Sequence, residues 1–282
     1  MSATASETNR ESLSVWNDIA TYWDANYGKD GNLYWKALQE PSIERLLADK
    51  FAKVKTGEVR ALDLATGNGI VARLMAAHGA HVLATDGSDA MLSIAAGHVG
   101  EGLKVAFRKL DVTSDDDFER LVGEEEQASS AGFDIVTINM AIMDIPTIEP
   151  LVRALPKLLA KDGVFMATIL HPVFTTNNAA RKIEIDFDKD GKTRVTRSKV
   201  ITEYLSVPPY KGWALPDQPK MQSYFHRPMG DLFSTFFGGG LVMDGMEELA
   251  FTEEHARHDR VESTVNFTQL PAILSWRMRR AN

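Results

Sequence analysis

The rhythm of apolar positions changes twice along this chain. From Leu13 to about Asp49 they recur at helical spacing, and the run carries the aromatic residues Trp16, Tyr22, Trp23, Tyr27, Tyr34 and Trp35. Gly28 and Gly31 split it in two, and Pro41 fits the first turn of a further helix ending near Lys50. Residues 1–12 are small, polar and rich in Ser and Thr, and read as a frayed end. From Val59 onward, short apolar runs alternate with helical stretches. Arg60–Leu64, His81–Thr85, Val105–Leu110, Phe133–Asn139 and Val164–Leu170 read as strands. Ile70–His78, Ala90–His98, Asp117–Gln127 and Glu149–Ala160 read as the helices between them. That alternation predicts βαβ units on a parallel sheet.

Residues 171–228 interrupt the rhythm. Ile183, Ile185 and Phe187 alternate with acids, then Asp190-Gly191 precedes Thr193, Val195 and Thr196, which is a hairpin pattern. A Pro- and aromatic-rich segment from Val207 to Tyr224 follows, and the stretch is expected to be an insertion covering the sheet. Helix Gly230–Phe237 and strands Leu241–Met246 and Ala272–Met278 complete the layer. The expected division is a helical lid over residues 1–50 and an α/β domain over 51–282.

Composition narrows the chemistry. With 282 residues, of which 44% are hydrophobic and 25% charged, the chain is long enough for one core that needs no staple. The net charge of -8 argues against a phosphate backbone as partner, since nucleic-acid affinity comes mostly from Lys and Arg. The absence of cysteine excludes disulfides, thiolate catalysis and Cys-ligated metals. No stretch approaches the roughly 20 apolar residues of a membrane helix, and Met1 to Arg10 lacks the apolar centre of a signal peptide. A cytoplasmic protein with no membrane, nucleic-acid or metal partner is expected.

The chemistry gathers around Leu62-Asp63-Leu64-Ala65-Thr66-Gly67-Asn68-Gly69, a strand end that opens a helix. Glycines there let backbone approach a ligand, and the helix N-terminus offers free N–H groups. Asp86 ends the second strand, where an acid can accept two ribose hydroxyls. Asp111, followed by Val112, ends the third and can reach an adenine amino group; Asn139, followed by Met140 and Ala141, ends the fourth. Four consecutive strand ends thus carry polar groups on the carboxyl edge, where open α/β sheets bind ligands. A nicotinamide enzyme competes, because Gly67-Asn68-Gly69-Ile70-Val71-Ala72 fits the dinucleotide pattern. Against it stand the carboxylate of Asp63 inside the first strand, the suitability of Asp111 for adenine, and the long helical stretch before the first strand.

These strings resemble class I S-adenosylmethionine-dependent methyltransferases, in a subgroup acting on small molecules. Residues Leu62 to Gly69 resemble the first motif, with Ala65 where the family commonly has glycine, and Asp86-Gly87-Ser88 resembles the second. Asp111-Val112 is similar to the adenine contact and Asn139-Met140-Ala141 to the loop after strand four. Asp30-Gly31-Asn32, His171-Pro172-Val173-Phe174, His226-Arg227-Pro228 and the segment Leu270–Arg277 are similar to subgroup features. The resemblance implies a Rossmann-like α/β fold with a seven-stranded, mostly parallel sheet in the order 3-2-1-4-5-7-6, and S-adenosylmethionine as cofactor. It places Asp63 and the loop of Ala65, Thr66, Gly67, Asn68 and Gly69 near the methionine end, and Asp86 on the ribose. Ser88 and Met91 would flank the adenine, with Asp111 on its amino group. A protein that binds this cofactor without methylating anything stays open as an alternative.

Methyl transfer needs a positioned acceptor and excluded water, and a base only where the acceptor is protonated. His171 and His226 are the candidate bases; the prolines beside them suit fixed loops equally well. Tyr27 and Asn32 flank the glycine break and are candidates for ligand contact, while Trp16 and Trp23 fit a core as well as a sulfonium contact. Asp186–Gly191 imitates half a calcium loop, but Arg194 and Arg197 stand where ligands belong, so a hairpin tip is expected. His255 and His258 read as part of a solvated acidic face.

Overall fold

The computed structural model describes residues 3–54, 58–128, 131–176 and 179–281; the first two residues of the expected frayed end lie outside them. Helix α1 (Ala3–Tyr27) leads through a π turn at Trp35–Gln39 into α2 (Glu40–Leu46) and α3 (Ala48–Val54). The alternating layer follows as β1 (Arg60–Leu64), α4 (Ile70–Ala77), β2 (His81–Asp86), α5 (Asp89–His98), β3 (Val105–Lys109), α6 (Asp115–Gln127), β4 (Phe133–Asn139), α7 (Glu149–Leu158) and β5 (Leu159–Leu170). The insertion holds β6 (Ala179–Phe187), β7 (Thr193–Ile201), β8 (Tyr210–Gly212) and β9 (Gln222–Tyr224). The chain closes with α8 (Met229–Gly238), β10 (Leu241–Leu249) and β11 (Ile273–Arg280).

Seven strands form one sheet in the order β3-β2-β1-β4-β5-β11-β10. Counted within the sheet alone this is the expected 3-2-1-4-5-7-6. β11 runs antiparallel to both neighbours, with Ile273 opposite Leu170 and Arg280 opposite Leu241, while β1 to β5 pair in parallel. Both faces are covered. On one, Phe118 and Leu121 of α6, Leu151 and Leu155 of α7, and Leu232 and Phe236 of α8 pack against Leu62, Val136 and Trp276. On the other, Ile43, Leu47 and Phe51 join Val71 and Met75 over Ala61, Val82 and Ile135. Burial on both sides explains why the central strands read as mainly apolar runs without strict alternation.

Three boundaries differ by more than two residues from expectation. The stretch read as frayed is helical from Ala3, because Asn9, Ser12, Leu13 and Trp16 recur at helical spacing on a face that docks onto the strand ends. α7 stops at Leu158, where Leu159 turns extended (φ -72, ψ 131), and the strand expected from Val164 begins there. β10 continues beyond Met246 to Leu249 through a bulge at Asp244. In the insertion, β6 and β7 form the expected hairpin, and Asp188 Oδ1 accepts from the N–H groups of Asp190 and Lys192 at 2.9 and 2.8 Å. The residues that imitate a calcium loop are thus spent on a turn. β9 seats on the short helical turn Ile142–Asp144 after β4, where Phe225 N–H donates to Met143 O at 2.7 Å.

Candidate active site

The loop after β1 is wound by three left-handed residues, Ala65 (φ 50), Gly67 (φ 57) and Gly69 (φ 79). This winding turns Thr66 N–H onto Thr85 O at 2.8 Å and Gly67 N–H onto Asp86 Oδ2 at 2.9 Å. A Cβ on Gly67 would meet nothing within 4 Å, so the loop is open to a ligand there. Gly69 caps α4, and a Cβ on it would lie 3.0 Å from Ala95 Cβ. Its smallness serves helix packing. Ala65 keeps a Cβ in a region that disfavours one, as does Met140 (φ 55) after β4. Both line the same cleft, and strain of this kind collects at working sites.

That cleft runs along the carboxyl ends of β1 to β4, where open α/β sheets bind ligands. Of the sequence-derived candidates, Tyr27, Ala65, Thr66, Gly67, Asn68, Asp86, Gly87, Met91, Asp111, Val112, Asn139, Met140 and Ala141 line it. Asp86 Oδ1 also accepts from Ser88 N–H at 2.8 Å. Burial pushes its carboxyl up to about 6, against the pull of these backbone donors. Asp111 is held from both sides: Oδ1 accepts from the Thr113 N–H and hydroxyl at 2.9 and 2.7 Å, and Oδ2 from Asn9 Nδ2 at 2.6 Å.

Six candidates do not line the cleft: His226 lies in a second cavity, and each of the other five has another occupation. Asp63 is 1% exposed and accepts from the hydroxyls of Thr66 (2.5 Å) and Thr137 (2.7 Å). It latches the loop to β4, and burial pushes its carboxyl up to about 6. Ser88 caps α5 and donates to Asn17 Oδ1 of α1 at 2.9 Å. Asn32 Oδ1 accepts from Trp35 N–H at 3.2 Å, starting the next helical turn. Gly69 is the packing contact described above. His171 is buried at 1% exposure, with Nε2 2.9 Å from Glu248 Oε1 and Nδ1 accepting from Val173 N–H at 3.2 Å. With both nitrogens engaged, the ring is placed to anchor the loop after β5.

Helix α1 supplies what the sequence reading missed. Asn9, Ser12 and Leu13 line the cleft beside Trp16, Trp23 and Tyr27. The three rings form a train, Trp16 edge-on to Trp23 at 5.2 Å and Trp23 stacked on Tyr27 at 6.2 Å. Burial raises the Tyr27 hydroxyl far above its ordinary value, so the ring is neutral. At the far end of α1, Asp24 accepts from Asn68 Nδ2 at 3.0 Å and lies 2.9 Å from His98 Nε2. The signal for Asn9 and Ser12 was their spacing with Trp16, hidden by the Ser/Thr-rich composition around them. Asp144 was missed as well. It is 8% exposed, lines the cleft, and takes one side-chain donor, Gln222 Nε2 at 3.3 Å. Burial pushes its carboxyl up to about 8.

A second, smaller cavity of about 440 Å³ lies across the Ile142–Asp144 turn, lined by Thr175, Thr176, Tyr210, Tyr224, His226 and Arg227 among others. His226 Nε2 lies 2.6 Å from Tyr204 O, so this nitrogen donates and the lone pair sits on Nδ1. Burial holds its pKa below the ordinary value, which keeps the ring neutral. The Arg227 guanidinium donates to Ile142 O at 3.0 Å and Ile145 O at 2.7 Å, bracing the turn between the two cavities. Among the described residues no group of three or more His, Asp or Glu could hold a metal ion, and no helix is long and apolar enough to cross a membrane.

Residues 62–165 match the family described as methyltransferase domain. A ubiquinone biosynthesis O-methyltransferase of Marinobacter nauticus is 32% identical over 119 residues, 42% of this chain and 47% of that protein. Its counterpart in Nitrosospira multiformis is 32% identical over 160 residues, 56% of this chain and 60% of that protein. The chain thus spans about half the length of the curated relatives it matches. Among solved structures, an S-adenosylmethionine-dependent methyltransferase from Mesorhizobium loti shares the fold, with a TM-score of 0.57 at 21% identity over 90% of this chain and 100% of that one.

Proposed function

We propose, on the premise that residues 62–165 belong to the methyltransferase-domain family, that this chain moves a methyl group from S-adenosylmethionine to a small organic acceptor. The observation that carries the reading is one cleft lined jointly by the glycine loop, Asp86 and Asp111. Those groups suit the cofactor: an acid for the ribose diol, a second acid beside Met91 and Val112 for the adenine, and an open backbone at Gly67. When bound, the cofactor supplies an electrophilic methyl on a sulfonium. The chain's own part is to bind, orient and exclude water. The aromatic train of α1 lies over the cleft as the proposed lid, giving apolar cover and ring faces for a cation.

The cavity beside the Ile142–Asp144 turn is the proposed acceptor site. Neutral His226, with its lone pair on Nδ1, suits the removal of a proton from a hydroxyl or amine there. The curated relatives act on oxygen by their names, which makes hydroxyl acceptors the first class to screen. Calorimetry tests the reading. Binding of S-adenosylhomocysteine with no binding of NADH supports methyl transfer, and the reverse installs the nicotinamide reading. Labelled methyl groups passing into any member of a small-molecule hydroxyl panel separate an enzyme from a protein that only binds the cofactor.

A further inference from the structure

Three buried carboxyls stand in the cleft or directly behind it, and they are not equivalent. Asp63 receives two threonine hydroxyls and Asp86 the backbone N–H groups of Gly67 and Ser88. Asp144 receives a single, long amide contact from Gln222. Its own backbone carbonyl accepts from the Ser12 hydroxyl at 3.3 Å, and its turn is pinned by Arg227 through the carbonyls on either side. The carboxyl is therefore fixed in place while its lone pairs are left largely unanswered. An ionised carboxylate in such surroundings is costly unless a cation or further donors arrive with a ligand.

The groups facing Asp144 supply no cation. Tyr210 of β8 and Tyr224 of β9 stack on each other 5.2 Å apart, and both phenols are raised by burial and further by Asp144, so both are neutral. Gln222 of β9 and Ser12 of α1 are uncharged. Arg227 donates to backbone carbonyls, and its nearest anionic influence is Glu149. Lys220, near β9 in sequence, pairs with Asp18 at 2.6 Å.

Position along the sheet then selects the ligand group. Asp111 ends β3, Asp86 ends β2, the glycine loop follows β1, and Asp144 follows β4, in the spatial order β3-β2-β1-β4. A ligand with its adenine at Asp111 and its ribose at Asp86 has its sulfur end toward β1 and β4, beside the second cavity. This step rests on the cofactor reading above.

We propose that Asp144 is a specificity-determining residue, protonated in the empty cleft and ionised when the sulfonium of S-adenosylmethionine enters. The positive charge then has a fixed counter-charge that the neutral product S-adenosylhomocysteine does not need. Loss of the charge on methyl transfer removes the reason for the carboxylate to stay ionised, so Asp144 takes up a proton and the product is held less tightly than the donor. The proton released on donor binding is the one regained after transfer, so the cycle balances at this residue. Its high proton affinity agrees with this role.

Titration calorimetry on the whole chain, in two buffers of different ionisation enthalpy at neutral pH, tests this without any acceptor. The comparison is wild type against Asp144→Asn, which cancels titration of the ligand's own amino group. The expected result is close to one more proton released by wild type than by D144N on binding S-adenosylmethionine, and no such difference for S-adenosylhomocysteine. D144N should also lose about tenfold in its preference for the sulfonium ligand. A far-ultraviolet circular-dichroism spectrum matching that of wild type, and a urea transition as cooperative, show that D144N is folded. Equal proton release by both ligands in wild type, or an unchanged preference in D144N, overturns the role of Asp144 alone. If wild type binds neither ligand, the cofactor reading fails and takes this inference with it.

Discussion

Replacing Asp63 by Asn separates a ligand contact from a structural latch. Asp63 is enclosed between Thr66 and Thr137, and burial lifts its carboxyl from 3.8 to about 6. A carboxyl whose folded value is raised is most stable protonated. Its contribution is fully present below about pH 4 and is lost as pH rises through about 6. At about 1.4 kcal/mol per unit, the loss is on the order of 3 kcal/mol by pH 8. D63N keeps the shape and still offers one acceptor and one donor, which either threonine hydroxyl can meet by rotating. The variant should therefore match wild type or fall slightly below it near pH 4.5, and exceed it by about 1–3 kcal/mol at pH 8. Urea unfolding at the two pH values reads this difference. Because Asp63 does not line the cleft, S-adenosylhomocysteine affinity should change less than about threefold at pH 8. A D63N protein less stable than wild type at pH 8 but equal to it at pH 4.5 would refute the reasoning, since it would mean that the carboxylate is the favoured form.

The other sites make different demands. Asp86→Asn should weaken S-adenosylhomocysteine binding by about 10²–10⁴, from two charge-assisted ribose bonds at roughly 1.5–3 kcal/mol each; an isotherm within threefold of wild type would remove the ribose assignment. Ala65→Gly relieves a left-handed alanine that costs about 1–2 kcal/mol, offset by about 0.5–1 kcal/mol of glycine entropy, so the urea midpoint should rise. A fall in that midpoint means the loop needs the methyl group. His226→Asn should depress turnover on any acceptor found, and wild-type turnover should decline as acid protonates the imidazole, below its ordinary 6.5. His171→Asn should instead cost about 1–3 kcal/mol of stability while sparing turnover; the opposite pattern in the pair would make His171 the base.

The βαβ alternation was readable because β1, β2 and β4 are covered on both faces, so their apolar runs stand out between amphipathic helices. Where a boundary went astray, a tertiary contact decided it. The helix before β5 was expected to reach Ala160, but strand pairing beginning at Leu159, opposite Phe133, ends it early. Gly67, Asp86 and Asp111 were legible in the cleft because each sits at a strand end, and parallel strands bring their ends to one edge. Asp144 lies five residues past its strand, and its position depends on a turn held by Arg227, whose side chain comes from the far end of the insertion. No local pattern encodes that. Asn9 and Ser12 were misread for a related reason: helix formation there is selected by docking, while composition alone favours fraying. Asp63 was correctly placed beside the loop, but strand alternation did not reveal that it turns toward Thr137 and away from the cleft.

The direction of β11 has a practical bearing on how the protein is handled. Ile273 lies level with Leu170 at the carboxyl edge, and the strand then runs away from it, with Arg279 level with Val164. A purification handle appended after Arg280 therefore hangs from the edge opposite the cleft. One placed ahead of Ala3 would begin only about 9 Å of helix from Asn9, which holds Asp111. Binding data gathered with an N-terminal handle still attached would report on the handle as well as on the protein.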